Sequence, residues 1–340
     1  MSLTLHAGTL VQAALLILST ALTSAGAIKL LRPLFVRHAL DQPTARSSHA
    51  TPTPAGGGLA VMLAVLGATV FCQLGSAVGW HLWAVVLAAA CLTAIGWLDD
   101  VYRLPVVPRL ACQGLAGLAV AASFPTELAL FPGMLPTVIE RGALVVGTVW
   151  FINLTNFMDG LDWMTVVETL PVSGTIAVLS AMAAVSPTVG IVALAVFGAV
   201  LGFAPFNRHV ARLFLGDVGS LPLGLLLAWM LIALAFEGHK AAALLLPMYY
   251  LADATITLLR RALRREQLSV AHRSHFYQRA VQSGYSVPDV TARVLTLNLL
   301  LATLAVLSVR VPTPTVAAIC LLAGAAATLA VLIGFNRGRA

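Results

Sequence analysis

The amino-acid sequence predicts an all-α, polytopic integral membrane helix bundle, and three observations carry that expectation. Of 340 residues, 59% are apolar and only 10% are charged, and the mean hydropathy is +0.94, a composition foreign to soluble domains. The apolar residues fall into repeated windows of the roughly 20 residues that a spanning helix needs. The cations collect on alternate connections, the pattern of a chain threaded with its positive loops on one side. No polar stretch is long enough for a separate soluble domain, so residues 1–340 read as one transmembrane domain.

Taken in order, the candidate spans are 9–31, 56–75, 79–98, 107–124, 141–158, 165–185, 188–206, 216–236, 240–260, 289–308 and 312–334. That makes about eleven helices; ten is the alternative count, and the fourth and fifth windows are the weakest. Residues 1–28 hold no Lys or Arg, and Lys29 and Arg32 follow the first apolar run. A cleaved signal peptide, which needs a basic start, is therefore not expected. Cys72, Cys91, Cys112 and Cys320 sit in apolar runs without CxxC spacing and read as small core residues. No internal repeat is evident, which gives an inverted-repeat transporter no direct support.

An outer (periplasmic) N-terminus puts loops 32–55, 99–106, 159–164, 207–215 and 261–288 and the C-terminal tail on the inner face. Of the 20 Lys and Arg, Arg141, Lys240 and Arg310 then lie outside and the other seventeen inside, which the positive-inside rule favours strongly. The net charge of +7 accordingly reports orientation and contact with anionic lipid, and a nucleic-acid partner is not expected. Independently, five of the thirteen acidic residues (Asp99, Asp100, Asp159, Asp162 and Asp217) land on that same cytoplasmic face. A charge beside a lipid-embedded helix is costly, so its default reading is functional.

Trp97-Leu-Asp99-Asp100-Val-Tyr-Arg103-Leu-Pro closes the third window. Two carboxylates at a helix C-terminus oppose its macrodipole and call for a cation, whether Mg²⁺ or a guanidinium. A solvated acidic loop paired with Arg103 or Arg109 is the plain alternative. Asn153-Leu-Thr-Asn156-Phe-Met-Asp159-Gly160-Leu-Asp162 closes the fifth window, with spacings of three along one slowly drifting helical face. Amides and acids in this order suit a nucleobase or sugar beside a metal, or else a polar helix contact with a cap. Phe214-Leu-Gly216-Asp217-Val-Gly219-Ser220 opens the eighth window, where helix N-terminal N–H groups attract phosphate and where Asp217 alone could serve as a cap. Asn207 lies in the same loop.

The longest inner loop carries Arg260-Arg261 and Arg264-Arg265, then His272-Arg273-Ser-His275-Phe-Tyr-Gln278. The arginine stripe reads as a topology and headgroup determinant; a histidine pair three residues apart is weak support for zinc. Asp41-Gln-Pro-Thr-Ala-Arg46-Ser-Ser-His49 leads into Pro52-Thr-Pro54 and Gly56-Gly-Gly58, with cations able to meet an anion. Asp253 and Glu168, inside the ninth and sixth windows, are expected to pair with polar neighbours within the bundle.

Together these strings resemble the polyprenyl-phosphate N-acetylhexosamine-1-phosphate transferase family, glycosyltransferase family 4, of the MraY/WecA type. The matches are DxPxxRxxHxxPTPxGGG at Asp41–Gly58, DDxxxLP at Asp99–Pro105, NxxNxxDGxD at Asn153–Asp162, GDxGSxxLG at Gly216–Gly224 and HRSHxYQ at His272–Gln278. The last is most similar to the WbpL-type branch, which primes O-antigen or other surface-polysaccharide synthesis. The resemblance implies a multi-pass enzyme of the bacterial inner membrane with a cytoplasmic active site. It would be Mg²⁺-dependent, with Mn²⁺ as a substitute, and would move an N-acetylaminosugar 1-phosphate from a UDP-sugar to undecaprenyl phosphate, releasing UMP. A homodimer is compatible with it.

Carried over by motif, Asp217 would ligate the metal, and Asp99 and Asp100 would stand by the lipid phosphate. Asn153, Asn156, Asp159 and Asp162 would line the nucleotide cleft, and Asn207 and Phe214 would touch the base. Arg46, His49, Arg109, His272, Arg273 and His275 would meet phosphates or sugar. Two departures stand out: Trp163 follows Asp162 where many members have glycine, and HRSHFYQ is less cationic than the string in several relatives. The alternatives are a phospho-MurNAc-pentapeptide transferase of peptidoglycan synthesis and, from another class, an ion-coupled membrane transporter.

Overall fold

The computed structural model describes residues 7–42, 52–74, 79–267 and 272–338. The chain begins with α1 (Ala7–His38), and a two-residue antiparallel ribbon, β1 (Leu40–Asp41) with β2 (Thr53–Pro54), leads into α2 (Gly57–Gln73). Then follow α3 (Trp80–Tyr102), α4 (Val106–Ala122), α5 (Thr137–Met158), α6 (Met164–Ala181) and α7 (Pro187–Phe203). The second half comprises α8 (Asp217–Phe236), α9 (Lys240–Leu245), α10 (Met248–Leu263), α11 (Phe276–Gln282), α12 (Val287–Arg310) and α13 (Pro314–Arg337).

Local chemistry starts several of these helices. Ser186, Ser286 and Thr313 each accept a backbone N–H from the first turn of α7, α12 and α13. Each is followed by a proline within the first two helical positions, where the missing N–H has no partner to lose. Among the described residues, seven helices (α1, α3, α5, α6, α8, α12 and α13) are long and apolar enough to cross a bilayer, and α2, α4 and α7 are shorter apolar helices. Large apolar side chains such as Leu30, Phe71, Val138 and Leu322 are exposed on the periphery. Water would not tolerate so much exposed hydrocarbon, but lipid does. The chain is an all-α, multi-pass membrane protein.

At the centre stands α8, buried along nearly its whole length and packed against α2, α3, α4, α5, α6, α7 and α9. Its run from Leu221 to Leu234 is apolar around the whole helix, as a helix buried on every side requires. The N-terminal end of α8 is approached unusually closely. A side chain at Gly58 would overlap the Gly219 backbone, and one at Gly96 would overlap the Asp217 carbonyl. Backbone hydrogen bonds join the two segments: Phe214 N–H to Pro54 O (2.8 Å), Gly57 N–H to Phe214 O (2.9 Å) and Gly58 N–H to Leu215 O (2.8 Å).

The helices depart from the sequence windows in several places, four of them near the site or at the bundle ends. The ninth window is two helices, α9 and α10, because Pro247 lacks an N–H and its ring crowds the preceding turn. The third helix runs on to Tyr102, so Asp99 and Asp100 lie in its last turn rather than in the following loop. The first continues to His38, and the fifth starts at Thr137. At the end of the bundle where α5 begins, Glu140 accepts the Leu130 and Phe131 N–H groups while Arg141 donates to the Pro125 and Leu128 carbonyls.

Candidate active site

Three helix ends bring their acids together. Asp99 and Asp100 come from the last turn of α3, Asp159 caps the C-terminus of α5, and Asp217 opens α8. Arg109, in the first turns of α4, bridges two of them. Its Nη1 donates to Asp99 Oδ2 and lies 3.4 Å from Asp217 Oδ2. The Leu104 N–H adds a 2.6 Å bond to Asp99 Oδ1. The guanidinium is thus the cation that two carboxylates at these helix ends call for.

Asp100 does something different. Its Oδ1 accepts the Asp217 N–H (2.9 Å) and its Oδ2 the Val218 N–H (3.0 Å), so one carboxylate caps the free amides that open α8. The sequence marks that helix start as an anion site, and the anion that occupies it is Asp100. Gly216 holds a positive φ of 77° directly against this carboxylate, a position where a side chain would be both strained and obstructed.

Asp217 Oδ1 accepts from Asn156 Nδ2 (2.7 Å), which also reaches Ser220 Oγ (2.9 Å). Asn153, one turn earlier on α5, instead donates to Gln113 Oε1 (2.6 Å) and to the Val149 carbonyl, so of the two amides only Asn156 touches the acid cluster. Asp159 accepts from the Thr165 hydroxyl. Burial pushes its carboxyl up to about 7; the Thr165 hydrogen bond opposes this and the nearby Asp100 charge reinforces it.

Asp162 lies to one side, bound to His209 Nδ1 (2.8 Å) and the Ala211 N–H (3.1 Å). Next to it, Trp163 adopts a left-handed φ of 66°, the conformation that glycine takes at no cost, so the backbone shape persists without the glycine. Two bonds hold it there: Trp163 N–H to Asn207 Oδ1 and Nε1–H to the Ala204 carbonyl, both 2.7 Å. Buried Asn207 also donates to the Leu213 carbonyl (3.0 Å). Asp162, Trp163 and Asn207 therefore clamp the α5–α6 connection to the α7–α8 loop. Phe214 sits in that loop, paired through its backbone with the segment before α2.

The histidine string forms a second cluster, at the start of α11. His272 and His275 stack with ring centroids 5.0 Å apart, and His275 lies over Tyr277 at 5.7 Å. Tyr277 donates its hydroxyl to the Phe157 carbonyl (2.9 Å), which ties α11 to the end of α5 and to Asp159. The same hydroxyl sits where a side chain at Gly160 would go, so the glycine of the DGxD string makes room for it. Arg273 follows His272, and its carbonyl accepts from Gln282 Nε2. Arg46 and His49 lie outside the described residues. Sequence reasoning did not single out Gln113, Thr165, His209, Ser220 or Tyr277, although Ser220 and Tyr277 lie inside two of the matched strings.

Among the described residues, no three His, Cys, Asp or Glu side chains already converge as a metal-ligand set. The donor set is nevertheless all-oxygen. It is rich in carboxylate and already draws one guanidinium between two of its members, which is the chemistry that suits a hard divalent cation. What the arrangement offers is a carboxylate-rich cluster at the N-terminal end of α8 whose charge Arg109 offsets in part.

Residues 82–235 match the family described as Glycosyl transferase family 4. The chain is 28% identical over 258 residues to a probable undecaprenyl-phosphate N-acetylglucosaminyl 1-phosphate transferase of Bacillus subtilis, an alignment covering 73% of this chain and 71% of that protein. It is 27% identical over 291 residues to decaprenyl-phosphate N-acetylglucosaminephosphotransferase of Mycobacterium tuberculosis, covering 73% and 70%. The Mycobacterium leprae protein of the same name is 30% identical over 218 residues, covering 56% and 53%. The matched region takes in nearly all of α3, α5 and the start of α8, and with them the whole acid cluster, so this part of the chain is similar to glycosyl transferase family 4.

Proposed function

We propose that this protein transfers an N-acetylhexosamine 1-phosphate from a UDP-sugar to a polyprenyl phosphate, undecaprenyl phosphate in the first instance, and releases UMP. The observation that carries the reading is the convergence of three acidic strings, far apart in sequence, on the N-terminus of α8. The matched relatives support it: all three carry a polyprenyl phosphate and N-acetylglucosamine in their names. Surface-polysaccharide initiation is the proposed role. Positive-inside threading of the cations supports a site on the cytoplasmic face, where UDP-sugars are made.

In the proposed reaction an oxygen of the lipid phosphate attacks the β-phosphorus of the UDP-sugar. The bond from that phosphorus to the bridging oxygen breaks, and UMP leaves with the electron pair. Asp217, with Asp99 beside it, would hold Mg²⁺. When bound, the metal supplies neutralisation of diphosphate charge. Arg109 holds Asp99 and Asp217 in register and offsets part of their repulsion. Asp100 fixes the start of α8, and Asn156 orients the Asp217 carboxylate. A lipid phosphate is already ionised at neutral pH and can attack directly without a general base, so in this proposal Asp99 or Asp100 acts as charge organiser.

The test is to incubate purified protein with undecaprenyl phosphate, Mg²⁺ and a panel of UDP-N-acetylsugars, with UDP-N-acetylglucosamine first, and to follow UMP and lipid product. Product with at least one donor is expected. No product with any donor overturns the reading. A phosphorylated aspartate trapped from the UDP-sugar alone would overturn direct attack.

A further inference from the structure

Asp253 is a fully buried carboxylate in α10 that the mechanism above does not use. It is densely satisfied. Oδ1 accepts the Phe276 N–H (3.0 Å) and the Thr257 hydroxyl (3.3 Å), and Oδ2 accepts the Tyr277 N–H and the Tyr249 hydroxyl (3.2 Å each). The remaining neighbour is His275, whose Nδ1 lies 3.2 Å from Oδ1. A carboxylate has only acceptors to offer, so Nδ1 must carry the hydrogen.

His272, stacked on His275, is set the opposite way. The Ser274 N–H donates to its Nδ1 (3.4 Å), and the Ser274 hydroxyl lies 2.7 Å from the same atom. An accepting Nδ1 places the hydrogen of a neutral ring on Nε2. His272 is neutral near pH 7, because burial, then the charges of His275 and Arg261, hold it down to about 4. Two stacked imidazoles thus have their tautomers fixed by different neighbours, and the buried acid holds one of them.

Resting on the transferase reading, we propose that Asp253 is a positioning residue for the transfer. It holds His275 with Nδ1–H turned into the buried carboxylate, so that Nε2 is left as the acceptor for a hydroxyl of the sugar donor. The same carboxylate caps the start of α11, so ring orientation and loop position are set by one group. The titratable groups facing His275 are Asp253 on α10, itself bonded to Tyr249, His272 on the preceding loop and Tyr277 on α11, with Arg261 acting on His272; from α5 it meets the uncharged Phe157 ring.

The experiment compares purified full-length wild type, Asp253→Asn, His275→Gln and the double variant, measuring UMP release against UDP-sugar concentration, with thermal unfolding alongside. Asp253→Asn should raise the KM for UDP-sugar at least about tenfold with a smaller change in kcat, His275→Gln should do the same, and the double variant should be no worse than His275→Gln. An unchanged KM in Asp253→Asn, or additive losses in the double variant, would make Asp253 a structural cap and sink the proposal. Should Asp253→Asn not fold, His275→Gln decides alone: an unchanged KM in it overturns the proposal. An inactive wild type defeats the transferase reading itself, a result distinct from either.

Discussion

Replacing Arg109 by Met keeps most of the stem and removes the one guanidinium that, among the described residues, bridges Asp99 and Asp217. At 3.4 Å from Asp217 and an effective dielectric of about 20, the Coulomb attraction for that one contact is about 5 kcal/mol. The Arg109 side chain is 30% exposed, and solvent and salt reduce that figure, leaving about 2 kcal/mol for holding the pair in register. Taken from the transition state, this is about 30-fold in rate. UMP release by Arg109→Met should therefore fall by about 10- to 100-fold. Because Asp99 is nearly buried and loses its counterion, the unfolding temperature should fall as well. Arg109→Lys should recover part of both, since a single nitrogen makes both contacts in the native protein. Activity and stability that are unchanged in Arg109→Met would refute the bridging role.

Other perturbations test separate parts of the site. Asp100→Ala leaves the Asp217 and Val218 amides without their acceptor and should cost about 1–2 kcal/mol, read as a lowered unfolding temperature. Gly58→Ala forces α2 away from Gly219 and should abolish activity with a marked loss of stability, since backbone cannot yield as a side chain can. The Asp159 carboxyl is raised from 3.8 to about 7 in the folded protein. The folded state therefore holds a proton that the unfolded state has released, and this contribution is present at low pH and lost as pH rises through about 7. Metal-free protein should accordingly lose thermal stability between about pH 4 and 7, and Asp159→Asn should flatten that slope.

Most of the bundle could be read from hydropathy because a lipid-facing helix has little freedom in composition. The failures have local causes. The third window closes at 98 because a hydropathy window rejects Asp99 and Asp100, yet Arg109 and the α8 amides compensate both charges and let the helix continue. The ninth runs unbroken through Pro247 because its flanks are apolar, although the ring breaks it. The acidic strings were visible as chemistry, and the expectation that Asp253 and Glu168 pair inside the bundle agrees with their contacts to His275 and Asn298. What could not be read was which acid does which job. Asp100 capping a helix 117 residues away, or Asn207 clamping Trp163, depends on tertiary placement that no spacing encodes. Trp163 is the reverse case. The sequence shows a lost glycine, and the structure shows the left-handed turn kept through hydrogen bonds from the tryptophan itself.

UMP release in the presence of undecaprenyl phosphate, Mg²⁺ and the UDP-sugar panel, compared between wild type and Asp217→Asn, reaches the acid cluster most directly. Asp217→Asn keeps the size of the side chain and an oxygen for Asn156 but removes the charge shared with Arg109. UMP and a lipid-linked sugar product are expected from wild type, with at least about a hundredfold loss in Asp217→Asn while the folded protein persists. Equal turnover by the two proteins, or none by wild type with any donor, would contradict a phosphoryl-transfer site at the start of α8.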